Sequence, residues 1–179
     1  MLLYKHIKIP NWQKIKEDFA YLANLKEDKE SIHLLDESEI ANLSRLLTLE
    51  PNQKIKYVLA FSQDSNVVQK IHVDGYIHRT GAGIESRSPS ALNVALNIPI
   101  QSVGKMSWYH GKYSLSEYSP SVRVKYLKLD WSENPKELDT VIIDQPTIVR
   151  IDVPHRVINQ DDQRRIILSV RCSPDITIG

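Results

Sequence analysis

From Lys54 onward the chain runs in short stretches of alternating apolar and polar residues, broken by Gly, Pro, Asn and Ser. That period of two constrains the fold more than any other feature, because it suits extended strands with one buried face and cannot settle as a helix. Strands are expected near 54–61, 67–73, 91–98, 104–109, 122–129, 139–143, 147–157 and 164–172. The first fifty residues carry a different period. Trp12, Ile15, Phe19 and Leu22 recur at helical spacing, so a helix is expected from about Trp12 to Leu25 with Asn11 as its cap. Asp36 followed by Glu39 forms a capping box for a second helix near Glu37 to Leu47, with Ile40, Leu43 and Leu47 on one stripe.

Eight strands after a helical lead-in predict a mainly β, α+β domain: a double-stranded β-helix (jelly roll, cupin-like) with the N-terminal helices packed on one sheet. A length of 179 residues fits a single domain, with 1–50 as lead-in and 54–172 as barrel. Two stretches are expected to be irregular, a possible lid from Gly75 to Ser90 and the tyrosine-bearing segment Tyr109 to Ser121. Cys172 is the sole cysteine, which excludes a disulfide framework. With 23 basic against 22 acidic residues, nothing draws the chain to nucleic acid or anionic lipid. No stretch approaches the roughly 20 apolar residues of a membrane span, and a cytoplasmic protein is expected.

Strand parity assigns faces. Between Thr147 and Val157, His155 shares parity with Val149, Ile151, Val153 and Val157, so it points inward while Arg150, Asp152 and Arg156 face water. A histidine in that company needs a partner, either a backbone carbonyl or a metal. In the last strand Ile166, Leu168, Val170 and Cys172 form an apolar face that belongs under the helices and Arg165, Ile167, Ser169 and Arg171 form the other, which turns Arg165 and Ser169 to the lumen. Asn93 and Asn97 share a face in the same way, and two asparagines inside a barrel call for a polar ligand.

His72 and Asp74 are two apart on an expected strand and so can share one ion. With His155 they make two imidazoles and one carboxylate, the donor set of a facial Fe(II) site that leaves positions open for substrate and oxygen.

Together, His72-Val73-Asp74, Pro154-His155-Arg156-Val157-Ile158-Asn159 with a gap of 80 residues between Asp74 and His155, and Arg165 ten residues beyond His155 resemble the 2-oxoglutarate/Fe(II)-dependent oxygenase superfamily. The pattern looks like its aspartyl/asparaginyl hydroxylase-like and related microbial or phage branch, and Leu96-Asn97-Ile98-Pro99-Ile100 looks like a strand of that branch. The resemblance implies that His72, Asp74 and His155 hold Fe(II) and that Arg165 pairs with the distal carboxylate of 2-oxoglutarate. Ser169 adds a hydroxyl, though it stands four residues after the arginine where several relatives have a serine two after. Asn93 and Asn97 are candidates for the rest of the cosubstrate or for substrate, and Arg79, Arg87, Tyr109, Tyr113 and Tyr118 for the entrance. The implied reaction consumes O2 and hydroxylates an amino acid, a peptide side chain or a small metabolite, with release of succinate and CO2. Two alternatives stand beside it. Arg165 and Arg171, six apart, resemble the arginine pair of AlkB-type nucleic-acid demethylating oxygenases, and a non-catalytic cupin-like binding module would keep the histidines as structural residues.

Overall fold

A computed structural model describes residues 1–25, 29–80, 83–89, 92–121 and 124–177; for 75–80, 83–89, 118–121 and 124–127 it is the backbone that is described. The chain is mainly β. In order it forms β1 (Tyr4–His6), α1 (Trp12–Asp18), a 3-10 helix (Ala20–Asn24), β2 (Glu30–Leu34), α2 (Glu37–Leu46), β3 (Lys54–Gln63), β4 (His72–Val73), β5 (Gly75–Thr80), β6 (Gly83–Pro89), β7 (Val94–Gln101), β8 (Gly104–His110), β9 (Tyr113–Ser121), β10 (Val124–Trp131), β11 (Lys136–Ile143), β12 (Thr147–Arg150), β13 (His155–Ile158) and β14 (Arg165–Ser173).

Two sheets result. One runs β1-β12-β7-β14-β3-β2, the other β11-β8-β13-β4-β10-β6-β5, with β9 also on β10. All pairings are antiparallel except β6 with β10. Parity along β14 divides the core as the sequence predicts. Ile166, Leu168, Val170 and Cys172 pack with Ile15, Phe19, Leu22 and Leu43 under the helices. Ile167 faces the other way and packs with Met106, Trp108, Val141 and Val157 between the sheets.

The lead-in differs from expectation in three ways. The first helix stops at Asp18 and tightens into the 3-10 segment, whose three-residue turn keeps Phe19 and Leu22 on one buried face. Asn11 stands at the N-cap position, but its side chain donates to Leu46 O rather than to its own helix. Two strands, β1 and β2, enter the six-stranded sheet at its edges. The capping box is present: Asp36 accepts from Glu39 N at 2.9 Å and its own N–H donates to Glu39 Oε2 at 2.7 Å. Trp12 Nε1 donates to Pro99 O at 3.0 Å, tying α1 to β7.

The barrel carries more strand than expected. The segment 75–90, expected as a lid loop, contains the antiparallel pair β5 and β6. The stretch 109–121 is largely β9, which pairs β10 from Tyr113↔Trp131 onward. The expected strand 147–157 is two strands in different sheets, β12 beside β7 and β13 beside β8. The burial period nevertheless survives the break: Val149, Ile151, Val153, His155 and Val157 are all buried. Three backbone hydrogen bonds pin the crossing, Ile151 N to Asn93 O, Asp74 N to Ile151 O and Tyr109 N to Pro154 O.

Candidate metal centre

The crossing brings the donor set together. His155 on β13 lies directly opposite His72 on β4, and Asp74 follows β4 at the point where its N–H is held by Ile151 O. His72 Nε2 lies 3.5 Å and His155 Nε2 3.4 Å from Asp74 Oδ1. The ligand atoms of all three residues fall within 4.8 Å of one another. Two donors bound at right angles to one ion, each about 2.1 Å from it, stand roughly 3 Å apart, so small side-chain shifts suffice for an ion to fit.

Hydrogen bonding decides which way the rings present themselves. His72 Nδ1 is 2.9 Å from Lys70 O, and His155 Nδ1 is 2.8 Å from Val153 O. A carbonyl only accepts, so each Nδ1 carries its proton and each neutral ring turns its Nε2 lone pair to the centre. Lone pairs facing a carboxylate oxygen repel unless a cation sits among them. Doubly protonated rings are the other solution, but the ring centroids are 4.6 Å apart and Asp74 already has a counter-charge. The donor set therefore fits a divalent cation.

That counter-charge is Arg171. Its side chain is fully buried, and its Nη2 donates to Asp74 Oδ2. Burial pushes the Asp74 carboxyl upward, but the Arg171 guanidinium outweighs this and holds it well below the usual carboxylate range. Arg171 Nη1 is buried with no hydrogen-bond partner among the described residues.

A cavity of 40 Å³ adjoins the three donors. Along its β14 wall stand Arg165, Ile167, Ser169 and Arg171, the luminal parity of that strand. Ser169 Oγ donates to Asn97 Oδ1 at 2.6 Å. Arg165 is 3% exposed, and burial pulls it down to about 10, with no carboxylate beside it among the described residues. Gly104 makes room for it: a Cβ there would lie 2.2 Å from Arg165 Nε and 2.6 Å from Cδ. A buried guanidinium that meets no counter-charge among the described residues and faces a cavity beside such a donor set is chemically suited to receive an acid.

Of the residues singled out from sequence, His72, Asp74, His155, Arg165, Ser169 and Asn97 come together. Asn93 does not: it precedes β7, and both its backbone N and its Nδ2 donate to Asp175 Oδ2. Tyr109 is buried, with its hydroxyl on Glu137 rather than at the cavity, and Tyr113 packs edge-on against Trp131. The side chains of Arg79, Arg87 and Tyr118 lie outside the described residues. The sequence reading missed Arg171 as the partner of Asp74, although its parity put it on the same face as Arg165 and Ser169. It also missed Gly104 and the cavity residue Gln69, neither of which carries a local signal.

No protein-family model and no curated protein matches the chain. Among solved structures it is similar to oxalate decarboxylase from Bacillus subtilis at pH 4.6, with 8% identity over 82% of this chain and 26% of that chain and a TM-score of 0.38. A structure used to assign the Mn(II) centres of the same enzyme gives 8% identity, the same coverage and a TM-score of 0.39. The chain thus spans about a quarter of the length of those proteins. The chemistry assigned to the centre rests on its own residues.

Proposed function

We propose that this protein is a jelly-roll oxygenase dependent on Fe(II) and 2-oxoglutarate, which hydroxylates an amino-acid, peptide or small-metabolite substrate and releases succinate and CO2. The observation that supports the reading is Arg165, a buried cation with no counter-charge among the described residues of the cavity that His72, Asp74 and His155 border. Among those residues two guanidiniums against one carboxylate leave the cavity one charge positive, and a divalent ion raises this to three. A dicarboxylate brings it back to one, which favours a dianionic cosubstrate over a neutral one.

Each residue has a defined task in this scheme. His72, Asp74 and His155 would hold the ion, with the Lys70 and Val153 carbonyls fixing the two rings. Arg171 keeps Asp74 ionised and orients its free oxygen toward the centre. Arg165 would take the distal carboxylate in a bidentate contact, and Ser169 and Asn97 line the wall beside it. The iron and cosubstrate, when bound, supply the oxidising chemistry with O2 as oxidant, while the surrounding apolar residues keep water out.

The test is an anaerobic titration with Fe(II) and 2-oxoglutarate, followed through the visible metal-to-ligand charge-transfer band, with His155→Ala as control. A band in the parent that the variant lacks is expected. A metal-loaded protein that develops no band would leave a binding module in place of an oxygenase.

A further inference from the structure

A second depression adjoins the metal cavity. After Leu129, whose N–H still reaches Ile71 O, β10 and the segment 68–71 part company, because Gln69 N turns to Val157 O on β13. The open groove between them has a volume of 460 Å³ and shares Gln69 with the metal cavity as a common wall. The groove is far larger than the metal cavity, which has a volume of 40 Å³. The groove is of the size that binds small organic ligands.

Its chemistry is specific. Trp131, Leu129 and Val68 supply an apolar, partly aromatic surface. Lys70, Lys128 and Arg156 supply three cations against one acid, Asp130, which Lys128 already engages at 3.0 Å. Trp131 Nε1 and Arg156 Nε are buried N–H donors that have no acceptor among the described residues. Arg156 is steadied by the Tyr109 ring, 5.3 Å from its guanidinium carbon. A polymer of phosphates would need a longer row of cations than this. A single carboxylate on an aromatic or apolar body matches both the apolar wall and the basic side chains that line the groove.

We propose that this groove binds a small monocarboxylic acid with an aromatic or apolar body, its carboxylate at Arg156 and its body against Trp131. That binding does not rest on the oxygenase reading.

The probe is phenylacetate, with phenylacetamide as the uncharged control, titrated by calorimetry into the metal-free protein. The acid should bind about tenfold more tightly than the amide. Arg156→Gln should reduce the acid to the level of the amide and leave the amide unchanged. Lys70→Gln, at an exposed side chain, should weaken the acid alone and serves if the first variant does not fold. Equal affinity of acid and amide, binding of neither, indifference to both substitutions, or tighter binding of a single-stranded oligothymidylate would each overturn the proposal. If phenylacetate binds as expected while Fe(II) and 2-oxoglutarate give no charge-transfer band, the groove stands and the oxygenase reading falls.

Discussion

Replacing Arg165 by methionine should stabilise the empty protein while abolishing its response to cosubstrate. Arginine ordinarily stays protonated beyond pH 12, and burial pulls Arg165 to about 10. At 1.36 kcal/mol per tenfold, keeping the charge in place costs on the order of 3 kcal/mol. The sign follows from the direction of the shift. A cation whose folded value is depressed weakens the fold at every pH below about 10, and relief begins only above that, so the full cost is present at neutral pH. Methionine has similar reach, packs over the open face of Gly104 and bears no charge. For a chain of this length 1 kcal/mol moves Tm by roughly 2–4 °C, so the variant should melt several degrees higher, up to about 10 °C. The parent with Fe(II) should gain about 2.7 kcal/mol from 2-oxoglutarate at a hundred times its Kd, and the variant none. Differential scanning fluorimetry with and without metal and cosubstrate reads both effects. A variant that melts at or below the parent temperature, or that still responds to 2-oxoglutarate, would refute the assignment of Arg165 as an unpaired receptor cation.

Three further outcomes are expected. Gly104→Ala places a methyl on the Arg165 side chain and should weaken 2-oxoglutarate binding about tenfold with metal affinity unchanged, which calorimetry on the metal-loaded protein distinguishes. Arg171→Met leaves Asp74 without its cation and should cost about 3–5 kcal/mol in urea unfolding at neutral pH, with added divalent metal restoring part of the loss; because the Asp74 value is depressed in the fold, its contribution is present at neutral pH and disappears as acid protonates it, so parent and variant should converge at low pH. Asn159→Ala should cost about 2–4 kcal/mol by leaving buried carbonyls without a donor, since Asn159 Nδ2 lies within 3.0 Å of Gln63 O, Asp64 O and Gln163 O, yet metal binding by the folded fraction should be normal.

Strand parity was the reliable guide to this fold. It put Arg165 and Ser169 in the lumen and Ile166, Leu168 and Val170 under the helices, because β14 is a central strand with both faces covered. It also forecast the burial of His155, although Ile151 to Pro154 carries the chain from one sheet to the other, a change that alternation cannot register. Parity failed for Asn93, which belongs to the face of Asn97 only if the strand begins before Val94. The edge strands β1 and β2 are short and mixed in composition, so they resemble the helical lead-in around them. What no local pattern could supply was pairing across the barrel: that Arg171 meets Asp74, or that Gly104 stands under Arg165, depends on which strands become neighbours.

The break between β12 and β13 has a kinetic consequence. His72 belongs to a strand of two residues and His155 to one of four, and the pair meets only after β13 has docked between β4 and β8 from the far end of the sequence. Such non-local closure comes late in folding, since the entropy of the intervening chain must be lost before the contact is made. A collapsing chain therefore presents no assembled donor set to an ion, and the metal has little to grip in the transition state. Its stabilisation should appear as slower unfolding and not as faster folding. The ion would be the last piece fitted, a latch on a closed barrel rather than the seed around which the barrel forms.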